Sequence, residues 1–243
     1  MKKNVLFSIA LSTLSVVHAT EKETAQTNLE SGPVRLVCVT PDAEVTSAYI
    51  ALTSIMPNGD IESVKHTRVL NGHIRSSHWS ALEHGYMTLR IDTSRAISLQ
   101  LIRHRSFTFQ QFSQKYANTI STIGTELPLP DLRKRKGTLT TEQQEDFKEK
   151  IQILFKNSLD LYKELIAAQV KTECARFILP EITPTIVHMT GNIRSWIHFI
   201  ERCSGRDSQP EMHVIVAGCK EIFQQVFPNI SQYLKKSRPK LGW

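Results

Sequence analysis

Apolar positions along this chain recur at two different spacings, and the changes between them mark out the elements. Arg35 to Thr40 reads as an opening strand that Pro41 stops. From Ala43 to Met56 the apolar residues fall at helical spacing, and Pro57-Asn58-Gly59 ends that helix. Ile61 to Ser76 reads as a second helix. Between Glu83 and Asp92, Tyr86, Thr88 and Arg90 alternate with Met87, Leu89 and Ile91, the period of a half-buried strand. Ser94 is placed to cap a helix whose apolar side carries Ala96, Ile97, Leu99, Leu101 and Ile102. Ser106 to Tyr116 is polar and aromatic by turns, which suits an extended segment. A proline-containing loop follows through Gly137. Thr141 with Gln144 predicts a capping box opening the longest helix, to about Val170, with Phe147, Ile151, Leu154, Phe155, Leu159, Tyr162 and Leu165 on its buried face. A short helix holds Cys174 to Phe177, Thr185 to Met189 is β-prone, and helices follow at about Asn192 to Cys203 and Glu211 to Phe227. Helices with a few irregularly spaced strands predict an α+β domain in preference to a doubly wound α/β sheet.

Composition narrows the class without naming a ligand. With 243 residues, 40% hydrophobic and 22% charged, the chain is of ordinary size for one globular domain. The net charge of +7 favours anionic partners in general, whether nucleic acid, acidic membrane or phosphorylated small molecule. Two basic runs, Arg133 to Lys136 and the terminal Lys235, Lys236, Arg238 and Lys240, are read first as solvated segments. Nucleic-acid binding rests on the first run alone, so no specific nucleic acid is expected.

The amino-terminal residues 1–19 combine a basic start, Lys2-Lys3, with a short apolar stretch and Val17-His18-Ala19. An export signal and an incidental apolar helix are both compatible with that pattern. The stretch is too short and serine-rich for a membrane span. Residues 20–33 are polar and read as a linker, which leaves 34–243 as the folded domain. The four cysteines are widely separated and lack CxxC spacing, so they do not outline a disulfide framework. Cys38 and Cys174 are expected as small buried hydrophobes. The nine histidines include no HExxH or paired Cys/His spacing, and no metal is expected.

The densest polar cluster is Arg103-His104-Arg105, with Gln100 before it and Ser113 and Lys115 after it. Guanidinium donors pair bidentately with phosphate oxygens, so the cluster suits a phosphorylated ligand; a solvated helix end is the alternative. Arg-His-Arg followed by seven residues and then Ser113 is the signature of flavin-dependent thymidylate synthases. The chain also resembles that family at His78 to His84, at Glu173 to Pro180 and at Gly191 to His198, in the same order, over roughly residues 35 to 235.

The resemblance implies a single α+β domain with a mixed sheet flanked by long helices. It implies transfer of a methylene group from methylenetetrahydrofolate to dUMP, with FAD, reduced by NADPH, completing the methyl of dTMP. It also implies a homotetramer with sites shared between subunits, and a cytoplasmic setting rich in folate and NADPH, although the leader allows export. By position, Ser54, His78, Ser80, Glu83, Arg103, His104, Arg105, Gln111, Asn192, Arg194 and His198 would contact the flavin nucleotide. Gln100, Arg103, Gln111, Phe112, Ser113, Gln114, Lys115 and Arg176 would hold dUMP. Arg194, His198 and Arg202 recur every four residues and predict one polar helix face.

Three positions depart from the family pattern. Lys115 stands where arginine is usual, which keeps the charge and loses bidentate phosphate binding. Arg202-Cys203 stands where Leu-Arg is usual, the arginine there facing the uracil ring. Leu52 also replaces an arginine. These changes keep open an alternative, a catalytically weak or inactive relative that still binds flavin or nucleotide. Under the first reading, restoring arginine at 203 should raise activity.

Overall fold

The computed structural model describes residues 29–53, 55–56, 65–116, 128–133, 137–205 and 208–236. The leader through residue 28, Ser54, the first part of the second predicted helix, Lys134 to Lys136 and the residues beyond Lys236 lie outside them. Strands β1 (Glu30–Ser31) and β2 (Val34–Val39) precede helices α1 (Ala43–Leu52) and α2 (His66–Arg75). A 3-10 turn at Ser80–Glu83 leads into β3 (Tyr86–Ser94), α3 (Arg95–Leu101) and β4 (Thr108–Gln111). The long helix α4 (Thr141–Ala167) and the single turn α5 (Thr172–Ala175) come next. The chain finishes with β5 (Pro184–Asn192), α6 (Ile193–Cys203), α7 (Pro210–Val226) and α8 (Ser231–Lys236).

The strands form a five-stranded sheet in the order β1-β2-β3-β5-β4. Every pairing is antiparallel, where a mixed sheet was expected. β1 and β2 form a tight hairpin through Gly32, whereas β4 and β5 pair antiparallel across a long connection that carries α4 and α5. The centre of the sheet is β3 against β5, nine residues in register from Tyr86 opposite Asn192 to Ser94 opposite Pro184. The alternation read from the sequence holds here. Met87, Leu89 and Ile91 are fully buried, as are Val187 and Met189 on β5, while Tyr86 is exposed.

Helices α6 and α7 contribute much of the core. Pro210 opens α7 at a first-turn position, where its missing N–H costs nothing. Gly218 lets α7 approach the β1–β2 hairpin, because a Cβ there would lie 2.5 Å from the Ser31 carbonyl oxygen and 2.9 Å from Val34 Cγ2. Trp196 of α6 is fully buried and its indole N–H donates to the Met87 carbonyl at 3.0 Å. Phe107 stands edge-on to Trp196 and Phe199. Gly191 makes room for that ring, since a Cβ would meet two of its atoms at 2.4 Å.

Several sequence expectations shift. The capping box falls at Thr140 and Gln143, one residue early, because Thr140 is the residue with extended backbone whose side chain accepts from Gln143 N–H. Helix α4 buries Phe155, Leu159 and Tyr162, but Phe147 and Leu154 are 45% and 61% exposed. At 27 residues it spans about 40 Å. On α3 the buried residues are Ile97, Ser98 and Leu101, leaving Ala96, Leu99 and Ile102 outside; seven residues form too short a helix to bury more than one stripe. Cys38 is exposed because the register slips between Leu36 and Cys38, a bulge that turns Val37 and Cys38 outward. Cys174 is exposed because the single turn of α5 packs through Ala175 instead.

Candidate active site

The Arg-His-Arg segment forms the turn that follows α3. Ser94 starts that helix by accepting from the Ile97 N–H at 3.3 Å, as its sequence position predicts. The helix ends with Arg103 N–H on the Gln100 carbonyl and His104 N–H on the Leu101 carbonyl. Arg103 and Arg105 are exposed, while the His104 ring between them turns inward. Phe199 meets that ring edge-on, with centroids 4.9 Å apart. Among the described residues neither Arg103 nor Arg105 makes an ion pair.

Helix α6 supplies the facing side. Asn192 caps it by accepting from the Ser195 N–H at 2.8 Å, so its side-chain oxygen is already engaged. Arg194, His198 and Arg202 form one exposed face, as their spacing predicts, and Trp196, Phe199, Ile200 and Cys203 point inward. Arg194 pairs with Glu83 of the 3-10 turn, the residue assigned to the flavin nucleotide by position. Burial holds the His104 imidazole below its ordinary value, and His198 and Arg202 push it the same way. The site thus has an imidazole held low by burial, with His198 and Arg202 as its charged neighbours on α6. Cys203 lies under this arrangement, 8% exposed, with Sγ 3.5 Å from His104 Nε2.

A second group lies at the far end of β4. Thr108 pairs with Thr190 beside α6, whereas Gln111 pairs with Val187 three residues further along β5, about 10 Å away. Gln111 donates from Nε2 to Ser98 Oγ at 2.9 Å and to Thr185 Oγ1 at 3.1 Å, tying β4 to α3 and β5. Phe112 extends the ladder through its N–H to the Ile186 carbonyl. Ser113 Oγ accepts from the Lys115 N–H at 3.3 Å, and Lys115 Nζ is 3.9 Å from Glu173 at the start of α5. Thr172 also donates to the Lys115 carbonyl. Arg176 is the next cation along that segment, its guanidinium over the Phe177 ring. Gln114 is 5% exposed, and its side-chain Nε2 has no hydrogen-bond partner among the described residues.

These two groups stand at opposite ends of β4. Gln100, on α3, bonds to Gln209. His78 lies towards α2, its ring edge-on to His73, and Ser80 is exposed at the head of the 3-10 turn. Ser98, Thr185 and Glu173, which position Gln111 and Lys115, carried no signal in the sequence because their partners are up to 74 residues away. Among the described residues no three His, Cys, Asp or Glu side chains cluster as a metal site, and no helix is long and apolar enough to cross a membrane.

Residues 35–229 match the family model described as thymidylate synthase complementing protein. A probable flavin-dependent thymidylate synthase of Paramecium bursaria Chlorella virus 1 is 39% identical over 196 residues, 79% of this chain and 90% of that protein. A flavin-dependent thymidylate synthase of Synechocystis sp. is 36% identical over 191 residues, 77% of this chain and 87% of that one. The solved structure of a UMP/dUMP methylase from Streptomyces cacaoi, bound with 5-Br dUMP, superposes with a TM-score of 0.71. It covers 86% of this chain and 97% of its own at 19% identity, and so speaks to the fold. Family model, sequence relatives and site geometry together place the chain in the flavin-dependent thymidylate synthase family.

Proposed function

We propose that this protein is an FAD-dependent synthase that converts dUMP to dTMP, with methylenetetrahydrofolate as carbon donor and NADPH as reductant. The observation that carries the reading is the Arg-His-Arg turn, whose two arginines are exposed and make no ion pair among the described residues, beside the His198 and Arg202 face of α6. Arg103 and Arg105 come from the turn after α3, and Arg194 and Arg202 come from α6. Exposed guanidiniums of this kind are suited to a bound polyanion. A dinucleotide pyrophosphate is such an anion. The residues present therefore fit FAD, with Arg103, Arg105 and Arg194 at its phosphates and His104 and His198 beside them. Ser80 and His78 offer further polar contacts, and Asn192 contributes through the helix end that it caps.

Bound FAD would supply the redox step, as hydride delivery. The chain's own residues bind, orient and screen. Ser113, Lys115 and Arg176 hold the nucleotide phosphate, the Gln114 amide is a buried donor available to the nucleotide, and Gln111 keeps the strand beneath them in place. Arg202 supplies the cation that stabilises negative charge developing on the uracil ring. Since the two residue groups stand at opposite ends of β4, a homotetramer in which neighbouring subunits complete each site accounts for both. The exposed Phe147 and Leu154 of α4 provide apolar surface for such an assembly.

The test is tritium release from C5-labelled dUMP by the full chain. Release is expected only when FAD, NADPH and methylenetetrahydrofolate are all present. A folded, flavin-loaded protein that releases none would leave the second reading, a relative that binds flavin or nucleotide without turnover. That reading is favoured by one observation, the inward turn of Cys203 at the position of the family's uracil-facing arginine. Lys115→Arg should tighten dUMP binding by about tenfold, since a bidentate fork replaces a point charge, worth ~1–2 kcal/mol. Isothermal titration with dUMP reads this directly.

A further inference from the structure

The proposed chemistry leaves the side chain of Cys203 without a task. The thiol is nearly buried, on the inner face of the last turn of α6, with Sγ 3.5 Å from Nε2 of His104. Phe199 bounds the same ring edge-on at an interplanar angle of 87°. Phe199 is itself fixed by Trp196 and Phe107, so the wall behind His104 is rigid. The ring thus meets one apolar wall and one sulfur.

We infer that Cys203 is a positioning residue for His104: its S–H donates to Nε2, orients the imidazole and leaves the ring proton on Nδ1. The direction follows from the protonation states. Burial raises the thiol, opposed only in part by Arg202, so sulfur keeps its proton. Burial lowers the imidazole, and His198 and Arg202 on α6 act in the same sense, so the ring holds one proton. A neutral thiol and a neutral imidazole can share their contact in two ways, and nitrogen is a much better acceptor than sulfur. The arrangement S–H to Nε2 therefore wins. A site residue whose tautomer is fixed offers a defined N–H donor to whatever binds beside it. Cys203 supplies this without placing a second fixed cation next to Arg202, as an arginine at 203 would.

The test is long-range proton–nitrogen correlation NMR on the full chain with ¹⁵N-labelled imidazoles, loaded with FAD. His104 should show a lone-pair nitrogen at Nε2 and a protonated Nδ1, this tautomer leading by roughly fivefold or more, as a hydrogen bond of ordinary strength gives. In Cys203→Ala the proton should shift towards Nε2, the position that a histidine ring favours without a partner, and the ring should protonate at higher pH because its neutral form loses a partner. Cys203→Ser, whose hydroxyl donates in the same direction, should keep the wild-type pattern. In the kinetic arm, the acidic limb of the kcat/KM profile should move to higher pH in the alanine variant and be restored by serine. A wild-type proton on Nε2, or an alanine variant with an unchanged tautomer, would overturn the inference. If the alanine variant fails to load flavin, the wild-type spectrum alone decides. The kinetic arm rests on the proposed synthase reading and the loaded spectrum on its flavin binding, whereas the same spectrum recorded without FAD decides the tautomer even if no flavin binds and no tritium is released.

Discussion

Replacing Arg202 with alanine should lower the rate of tritium release from C5-labelled dUMP by about a hundredfold, the scale of losing one fixed transition-state charge. The protein should remain folded and flavin-loaded. Arg202 is exposed in the last turn of α6 and shares its face with Arg194 and His198. Its charge reaches His104, whose imidazole it helps to depress. One residue further on, a side chain is rotated by about 100° around the helix, and Cys203 accordingly points into the core. A cation from position 203 and one from position 202 therefore leave the helix in different directions. For that reason the sequence expectation that arginine at 203 raises activity is revised: the new side chain would start from a nearly buried position against His104. Removing Arg202 takes away the exposed cation that remains. Stability should change little, as for most surface positions. Lysine at 202 should recover part of the rate, since charge matters more than the fork when the target is a ring. A rate unchanged in Arg202→Ala would assign the uracil-facing charge elsewhere.

The largest effect on stability should come from Trp196→Ala, at about 3–5 kcal/mol in a urea unfolding experiment. Trp196 is fully buried between α6 and the sheet, against Phe107 and Phe199, with its N–H bonded to the Met87 carbonyl. Truncation opens a cavity and leaves that carbonyl without its indole donor. Because Phe199 backs His104, flavin loading should weaken even in the fraction that folds. Phenylalanine at 196 keeps most of the volume and should cost less than alanine. Equal losses for phenylalanine and alanine would show that the indole hydrogen bond matters more here than the volume of the ring.

How much of this was legible in the chain varies from element to element. Strand β3 was, because one face is buried and the other is not, so the burial pattern is written as strict alternation from Tyr86 to Ile91. The polar face of α6 was also legible, since Arg194, His198 and Arg202 are neighbours by helical geometry alone. Ser94 and Asn192 act within three residues of themselves, and local hydrogen bonds of that kind depend on little beyond the sequence. The Arg-His-Arg signature marked the family without any knowledge of the fold.

The remainder was decided by contacts between distant parts of the chain. Periodicity assigned Leu154 and Phe147 to a buried face, but whether a face is buried depends on what packs against it, and on α4 both are exposed. The bulge in β2 that exposes Cys38 comes from its register against β3, which no single strand records. The antiparallel sheet depends on which strand lies beside which. Glu83 turns to Arg194 across 111 residues, and Gln111 is held by Ser98 and Thr185. The contact of Cys203 with His104 joins residues 99 positions apart. Sequence by itself determined the elements with one-dimensional periods, the Ser94 cap and the family, because these depend on neighbours along the chain. Tertiary structure alone decided which polar groups satisfy one another and which face the site, because a side chain's energy depends on the groups that folding brings around it.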